Sequence, residues 1–357
     1  MTIRTKILAG LLACLLMVGL FAANAWAGTQ IVLTFLGDCT LGSEERLKDE
    51  DYSFAAAMGE EGYDYYFRNV KDLLAEDDVT LANLECVLRE NKYGSKDKTY
   101  VFRGLPEYAQ ILKLGSVEAV NLENNHTLDY GKAGLNDTIQ ALDDAGVAWS
   151  GMEDAYIYEK DGIRVAFIGL LRANYFNYRE AFFEYIARLK EAGVNAVVVS
   201  LHFGEEYSAY HNDGQASMAY YMIEAGADLV IGTHPHVIQG MEVYNDRLIF
   251  YSLGNFVFGG NASIRSLQTI LPRVTLQFSD DGELEGMQLR IYPAHISGDD
   301  SGQKHDNNYQ PVLAQGEQAD AVYALLDQDS TTMPAPVLET QTDTYREYEW
   351  IYLTSNQ

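Results

Sequence analysis

Short apolar runs recur along the chain, and most of them end in a cluster of polar residues. Ile31–Leu36, Val79–Leu84, Val117–Leu122, Ala196–Leu201 and Leu229–Ile231 are too short for helices and are bounded by Gly, Asp or Asn. That combination predicts buried strands. Between them the apolar positions take helical spacing. Tyr66, Phe67, Val70, Leu73 and Leu74 mark Tyr65–Ala75, Pro106 opens another helix, and Gly134–Ala145, Ala181–Ala192 and Ala216–Ala225 follow. Strands alternating with helices predict an α/β fold with a largely parallel sheet. Three hairpins add antiparallel strands elsewhere. Asp161-Gly162 joins Ala155–Tyr158 to Arg164–Leu171, Asn245-Asp246 turns within Val243–Phe250, and Asp280-Asp281-Gly282 joins Val274–Phe278 to Met287–Tyr292. Beyond Ser297 the pattern weakens. Residues 298–310 read as a polar loop or linker, Ala319–Leu326 as one helix, 329–345 as a stretch rich in Thr, Pro and Gln, and Tyr345–Leu353 as an aromatic tail able to dock on the body.

The polar clusters sit where open α/β sheets place their ligands, at the carboxyl ends of strands. Asp38 follows the first run. Asn83 and Glu85 lie two apart and share a strand face. Val117–Leu122 leads into Glu123-Asn124-Asn125-His126-Thr127-Leu128-Asp129, in which Asp129 can reach a ring nitrogen of His126 if the segment turns helically. His202 ends the valine-rich run. His234 and His236, separated by Pro235, follow Leu229–Ile231 and can face one point. Imidazole is the commonest metal ligand and the usual proton shuttle near neutral pH. Carboxylates, imidazoles and an amide oxygen suit Mn, Fe or Zn, and the chain has only three cysteines, too few for a thiolate site.

Charge and the amino terminus narrow the class. The formal charge is −27 in a chain of 357 residues. That argues against nucleic-acid binding and against adhesion to anionic lipid. Residues 1–27 read as a signal peptide: Arg4 and Lys6, the apolar run Ile7–Ala23, then Ala25-Trp26-Ala27 before Gly28. The expectation is export into the cell envelope with cleavage after Ala27. The apolar run is also long enough for an uncleaved membrane anchor. Cys39 and Cys86 could form one disulfide at most, and two free buried thiols are the preferred reading.

The ordered motifs GDCTLG, NLE, NNHTLDYG, HFGEEY, GTHPHVIQ and SLGNFVF, from about Ile31 to Ser297, resemble the CapA-type capsule-synthesis family associated with poly-γ-glutamate biosynthesis. The resemblance implies a calcineurin-like metallophosphatase fold, a four-layer α/β/β/α sandwich over residues 28–297, with 298–357 as an extension. It implies one or two divalent transition metals, with Asp38 and His236 on one, Glu85 bridging, and Asn125, His202 and His234 on the other. It makes His126 a general acid supported by Asp129. Asn83, Asn124, Arg103, Glu206 and Asn255, beside these motifs, are the candidate substrate contacts. Arg103 and Arg172 could offset the acidic surface, although ordinary surface charge accounts for them as well. Three residues depart from the pattern. Thr40 stands where phosphoesterases usually carry a metal-binding histidine, Phe203 where the family often has tryptophan, and Glu123 where it often has alanine. Two functions follow. One is a metal-dependent hydrolase of phosphoester or polymer amide bonds. The other is a non-catalytic component of an envelope assembly, in contact with polymer or with membrane-bound capsule-synthesis proteins.

Overall fold

The computed structural model describes residues 28–95, 97–260, 265–299 and 307–354. The signal-peptide reading of residues 1–27 lies outside them. Strands alternate with helices as the apolar pattern predicts. The first sheet contains β1 (Gln30–Thr40), β2 (Val79–Leu84), β3 (Ala119–Asn121) and β4 (Ala148–Ser150) in parallel order. The second contains β5 (Tyr156–Lys160), β6 (Ile163–Leu171), β7 (Ala196–His202), β8 (Leu229–Thr233), β9 (Met241–Tyr244) and β10 (Arg247–Phe250), in the order β9-β10-β8-β7-β6-β5. Two hairpins sit at its edges. The chain then returns to the first sheet with β11 (Asn255–Phe258), β12 (Gln268–Phe278) and β13 (Leu284–His295).

Period-two alternation decides how these sheets stack. Ile31, Leu33 and Phe35 of β1 face Val165 and Phe167 of β6 and Val198 of β7 in one dry core between the sheets. The alternate residues face outward. Ala82, Leu84 and Val120 pack under α1 (Ala109–Leu114) and α2 (Gly131–Ala145). Ala166, Ile168, Val197 and Val199 pack under α3 (Arg172–Glu191) and α4 (Asp213–Glu224). The layers are therefore α/β/β/α. The central strands are buried on both faces, which is why the runs read as continuous rather than alternating.

Some elements differ from the sequence reading. Tyr65–Ala75 yields only a short helix, Lys71–Leu74, because Tyr66 leaves the helical path to stack on Phe54 at 4.1 Å. Its hydroxyl also donates to the Phe54 carbonyl at 2.6 Å, so tertiary contact overrides local spacing. The helix expected at Ala181–Ala192 begins earlier, at Arg172. After Ser297 the chain forms α5 (Glu317–Ser330), whose Val322, Tyr323 and Leu326 close one end of the inter-sheet core. It also forms β14 (Leu338–Gln341), β15 (Arg346–Tyr348) and β16 (Ile351–Tyr352), with β15 and β16 pairing on β13. All four residues of β14 are exposed, so this edge carried no apolar signal.

Candidate metal centre

The carboxyl ends of β1, β2, β3, β7 and β8 meet at one place between the sheets. A bulge in β1, between Phe35 and Asp38, re-aims Asp38 toward it. Gly37 permits the approach of the neighbouring chain, since a Cβ there would lie 2.0 Å from the Gly254 carbonyl oxygen. His234 and His236 both have positive φ, at 100° and 59°, and this tight loop turns both rings inward.

Asp38 and Glu85 are fully buried, and His202 and His236 nearly so. Glu85 lies at the middle. Its Oε1 is 3.5 Å from His202 Nε2, and its Oε2 is 3.9 Å from His236 Nδ1. Asp38 Oδ2 is 3.3 Å from His236 Nδ1 and accepts from the His234 amide at 3.1 Å. Two ligand groups share Glu85: Asp38, Glu85 and His236 on one side, and Glu85, His202 and His234 on the other. Asn125 Oδ1 joins the second group, 2.9 Å from His202 Nε2.

The electrostatics of this cluster are those of a cation site. Burial and the adjacent Asp38 charge push the Glu85 carboxyl up to about 8, against the pull of His236 and His126. Burial also disfavours the Asp38 carboxylate, but the His236 hydrogen bond, the charges of His236 and His202 and the Asn83 amide hold it below its usual range. His236 is raised to about 10, because Glu85 and Asp38 outweigh its desolvation. Burial depresses His202 to about 4 and His234 to about 3, which keeps both rings neutral and able to ligate. Both Glu85 oxygens and His234 Nδ1 are buried without a hydrogen-bond partner among the described residues. Orphaned buried donors and acceptors cost about 1–3 kcal/mol each. One or two divalent ions would satisfy all three, so the residues present fit the group.

His126 stands at the rim of the cluster. Its Nδ1 meets Asp129 Oδ2 at 2.7 Å, and its Nε2 faces Glu85 Oε1 at 3.9 Å. Asp129 is held in turn by the Phe102 amide at 2.8 Å and by the Lys98 ammonium. The Phe102 ring stacks on the imidazole at 4.2 Å. The His126 ring is thereby fixed in position and tautomer.

Residues 32–260 match the profile of the family described as "Bacterial capsule synthesis protein PGA_cap". The chain belongs to this family. Its relatives include "Capsule biosynthesis protein CapA" of Bacillus anthracis, 32% identical over 64% of this chain and 60% of that protein. "PGA biosynthesis protein CapA" of Bacillus subtilis (strain 168) is 32% identical over 69% of this chain and 70% of its own length. The chain thus spans about three-fifths of the first relative and somewhat more of the second. Purple acid phosphatase PPD1 from yellow lupin superposes with a TM-score of 0.36 at 9% identity, covering 88% of this chain and 58% of that one.

Placed on this PGA_cap fold, the remaining candidates separate. Asn83 does not face outward. Its Nδ2 donates to Asp38 Oδ1 at 2.7 Å and its Oδ1 accepts from Asn121 at 2.9 Å, so it orients a ligand rather than a substrate. Asn124 is likewise spent internally, donating to the Leu84 carbonyl at 2.8 Å and accepting from the His126 amide at 3.0 Å. Arg103 is tied to Glu45 at 2.7 Å and to the Arg89 carbonyl at 2.8 Å, which leaves it unsuited to substrate. Glu206 is exposed, on the loop after β7. Asn255 lies within the cluster beside His236. Thr40 turns its hydroxyl to the Glu85 carbonyl at 3.1 Å. Cys39 and Cys86 are free and buried, and burial raises the Cys39 thiol to about 12. Three contributors went unread in the sequence. Asn121 and Lys98 support Asn83 and Asp129. Arg265 lies over the Tyr207 ring at 4.2 Å, and that ring is 5.9 Å from His236.

Proposed function

We propose that this chain is an exported, metal-dependent hydrolase of capsule-polymer metabolism, acting on a phosphoester or on an amide bond of a polymer such as poly-γ-glutamate. The observation that carries the reading is the juxtaposition of the Asp38–Glu85–His202–His234–His236 cluster, in which both Glu85 oxygens and His234 Nδ1 lack hydrogen-bond partners among the described residues, with the His126–Asp129 dyad aimed into it. A bound divalent ion would supply Lewis-acid polarisation of the scissile group and a water of lowered pKa. Asn125, His202 and His234 would hold one ion, Asp38 and His236 a second, and Glu85 would serve both. The chain's own residues do the rest. Asp129 accepts from His126 Nδ1, which leaves Nε2 to give a proton to the departing oxygen or nitrogen. Phe102 covers the imidazole and limits its contact with water. Arg265 has no carboxylate partner among the described residues, and above Tyr207 it offers the cation that an anionic substrate needs in so acidic a protein.

The test is hydrolysis of poly-γ-glutamate and of an activated phosphodiester by the metal-loaded protein and by His126→Ala. General acid catalysis is worth about 10²–10⁴-fold, so His126→Ala should lower kcat by that factor with metal content unchanged. A nitrophenolate leaving group, which needs no proton, should recover part of the loss. Loss of metal from His126→Ala as readily as from His234→Ala would refute the acid assignment. A second reading is favoured by the family's description, which names synthesis and not hydrolysis. In it the centre serves binding within an envelope assembly. It predicts no turnover, and a capsule phenotype sensitive to His234→Ala but indifferent to His126→Ala.

A further inference from the structure

The half of the cluster around Asp38 is one donor short, because Thr40 gives its hydroxyl to a backbone carbonyl. Another residue stands in the gap. β11 runs parallel to β1 with Asn255 directly opposite Asp38. Asn255 is buried, and its Oδ1 lies 2.9 Å from His236 Nδ1. That nitrogen is the one 3.3 Å from Asp38 Oδ2 and 3.9 Å from Glu85 Oε2. The Asn255 Nδ2 donates to the His236 carbonyl at 3.5 Å, so it is the amide oxygen that faces the cluster.

The other half shows the same arrangement. Asn125 Oδ1 is 2.9 Å from His202 Nε2, which in turn is 3.5 Å from Glu85 Oε1. On each side of Glu85, a carboxylate oxygen, a ring nitrogen and an amide oxygen converge. Oxygens bound to one small cation lie about this far apart from its nitrogen ligands, as bond lengths near 2.0–2.2 Å require.

We infer that Asn255 is a metal ligand, its amide oxygen completing a second cation site with Asp38, Glu85 and His236. The inference rests on the metal-centre reading and not on hydrolysis. It also states a preference. An oxygen in place of an imidazole makes this half harder, so it should favour Mn²⁺ or Fe²⁺ over Zn²⁺ relative to the half holding two histidines. The competing role for Asn255 is to accept a hydrogen bond from His236 Nδ1 and orient that ring toward a single ion.

A crystal of the full chain soaked in Mn²⁺, with anomalous scattering measured at the manganese edge, separates these roles. Two peaks are expected, one of them about 2.2 Å from Asn255 Oδ1. A peak beyond about 3 Å from that oxygen, or a single peak on the His202 side, overturns the inference. In solution, Mn²⁺ bound per chain, counted by plasma mass spectrometry after dialysis, should fall from two to one in Asn255→Ala. Asn255→Asp, which keeps the shape and adds charge, should retain two. Two ions retained by Asn255→Ala overturns the inference. Two ions in the wild type, one in Asn255→Ala and no turnover in either would uphold the ligand and sink the hydrolase.

Discussion

Replacing Glu85 by Gln should stabilise the metal-free protein while removing its stabilisation by metal. The Glu85 carboxyl is buried, has no hydrogen-bond partner among the described residues and is raised from 4.5 to about 8, first by burial and then by the Asp38 charge. Because the folded state binds the proton more tightly than the unfolded one, stability falls as pH rises through 4.5 to about 8. One pKa unit is worth about 1.4 kcal/mol, so at pH 7 the metal-free wild type carries a penalty of about 3 kcal/mol. At pH 5 the penalty is under about 1 kcal/mol. Gln has nearly the same volume and never ionises, so Glu85→Gln should show none of this slope. Added metal should reverse the order, since an ion at about 1,000 times its dissociation constant stabilises by about 4.1 kcal/mol, more than the penalty at pH 7. Urea unfolding followed by circular dichroism, in chelator and in Mn²⁺, at pH 5 and pH 7, measures all four cases. A Glu85→Gln protein less stable than wild type in chelator at pH 7 would refute the reasoning. So would a variant that gains as much from Mn²⁺ as wild type does.

Other outcomes follow from the same structure. Arg265→Ala should raise KM for an anionic substrate about tenfold with kcat within about twofold, as loss of one charge-assisted contact requires, and steady-state kinetics would show it. Asp77, raised to about 6 chiefly by burial, should destabilise the fold progressively from pH 4 to 6. Asp77→Asn should therefore gain about 3 kcal/mol at pH 7 and little near pH 4 in urea unfolding. Export should yield a chain that begins at Gly28 when protein from the producing cell is examined by mass spectrometry, whereas a retained Met1 would support the anchored alternative.

The sandwich was legible because both faces of its central strands are buried, so each strand is a short apolar run. The cluster was legible because the strands deliver Asp38, Glu85, His126, His202, His234 and His236 at their carboxyl ends. What escaped depends on tertiary placement. Asn83 and Asn124 stand among the ligands in sequence, yet their amides are consumed inside the cluster, which no spacing reveals. Arg103 looked available, but Glu45, far from it in sequence, claims its guanidinium. Lys98 and Arg265 lie in segments without periodicity, and only the folded chain brings them to Asp129 and Tyr207. The strands β14 to β16 are polar or interrupted. The pairing of β15 and β16 on β13, and of β14 on β15, is made by backbone groups that the side-chain pattern does not report.

The most direct test of the central claim is metal add-back. The purified chain is stripped with chelator, and hydrolysis of an activated phosphodiester and of poly-γ-glutamate is followed as Mn²⁺, Fe²⁺ or Zn²⁺ is returned. No turnover of either substrate is expected without metal, with recovery by at least one of the three ions on at least one substrate and no recovery in His234→Ala. Turnover that survives chelation, or equal recovery in wild type and His234→Ala, would contradict the central claim.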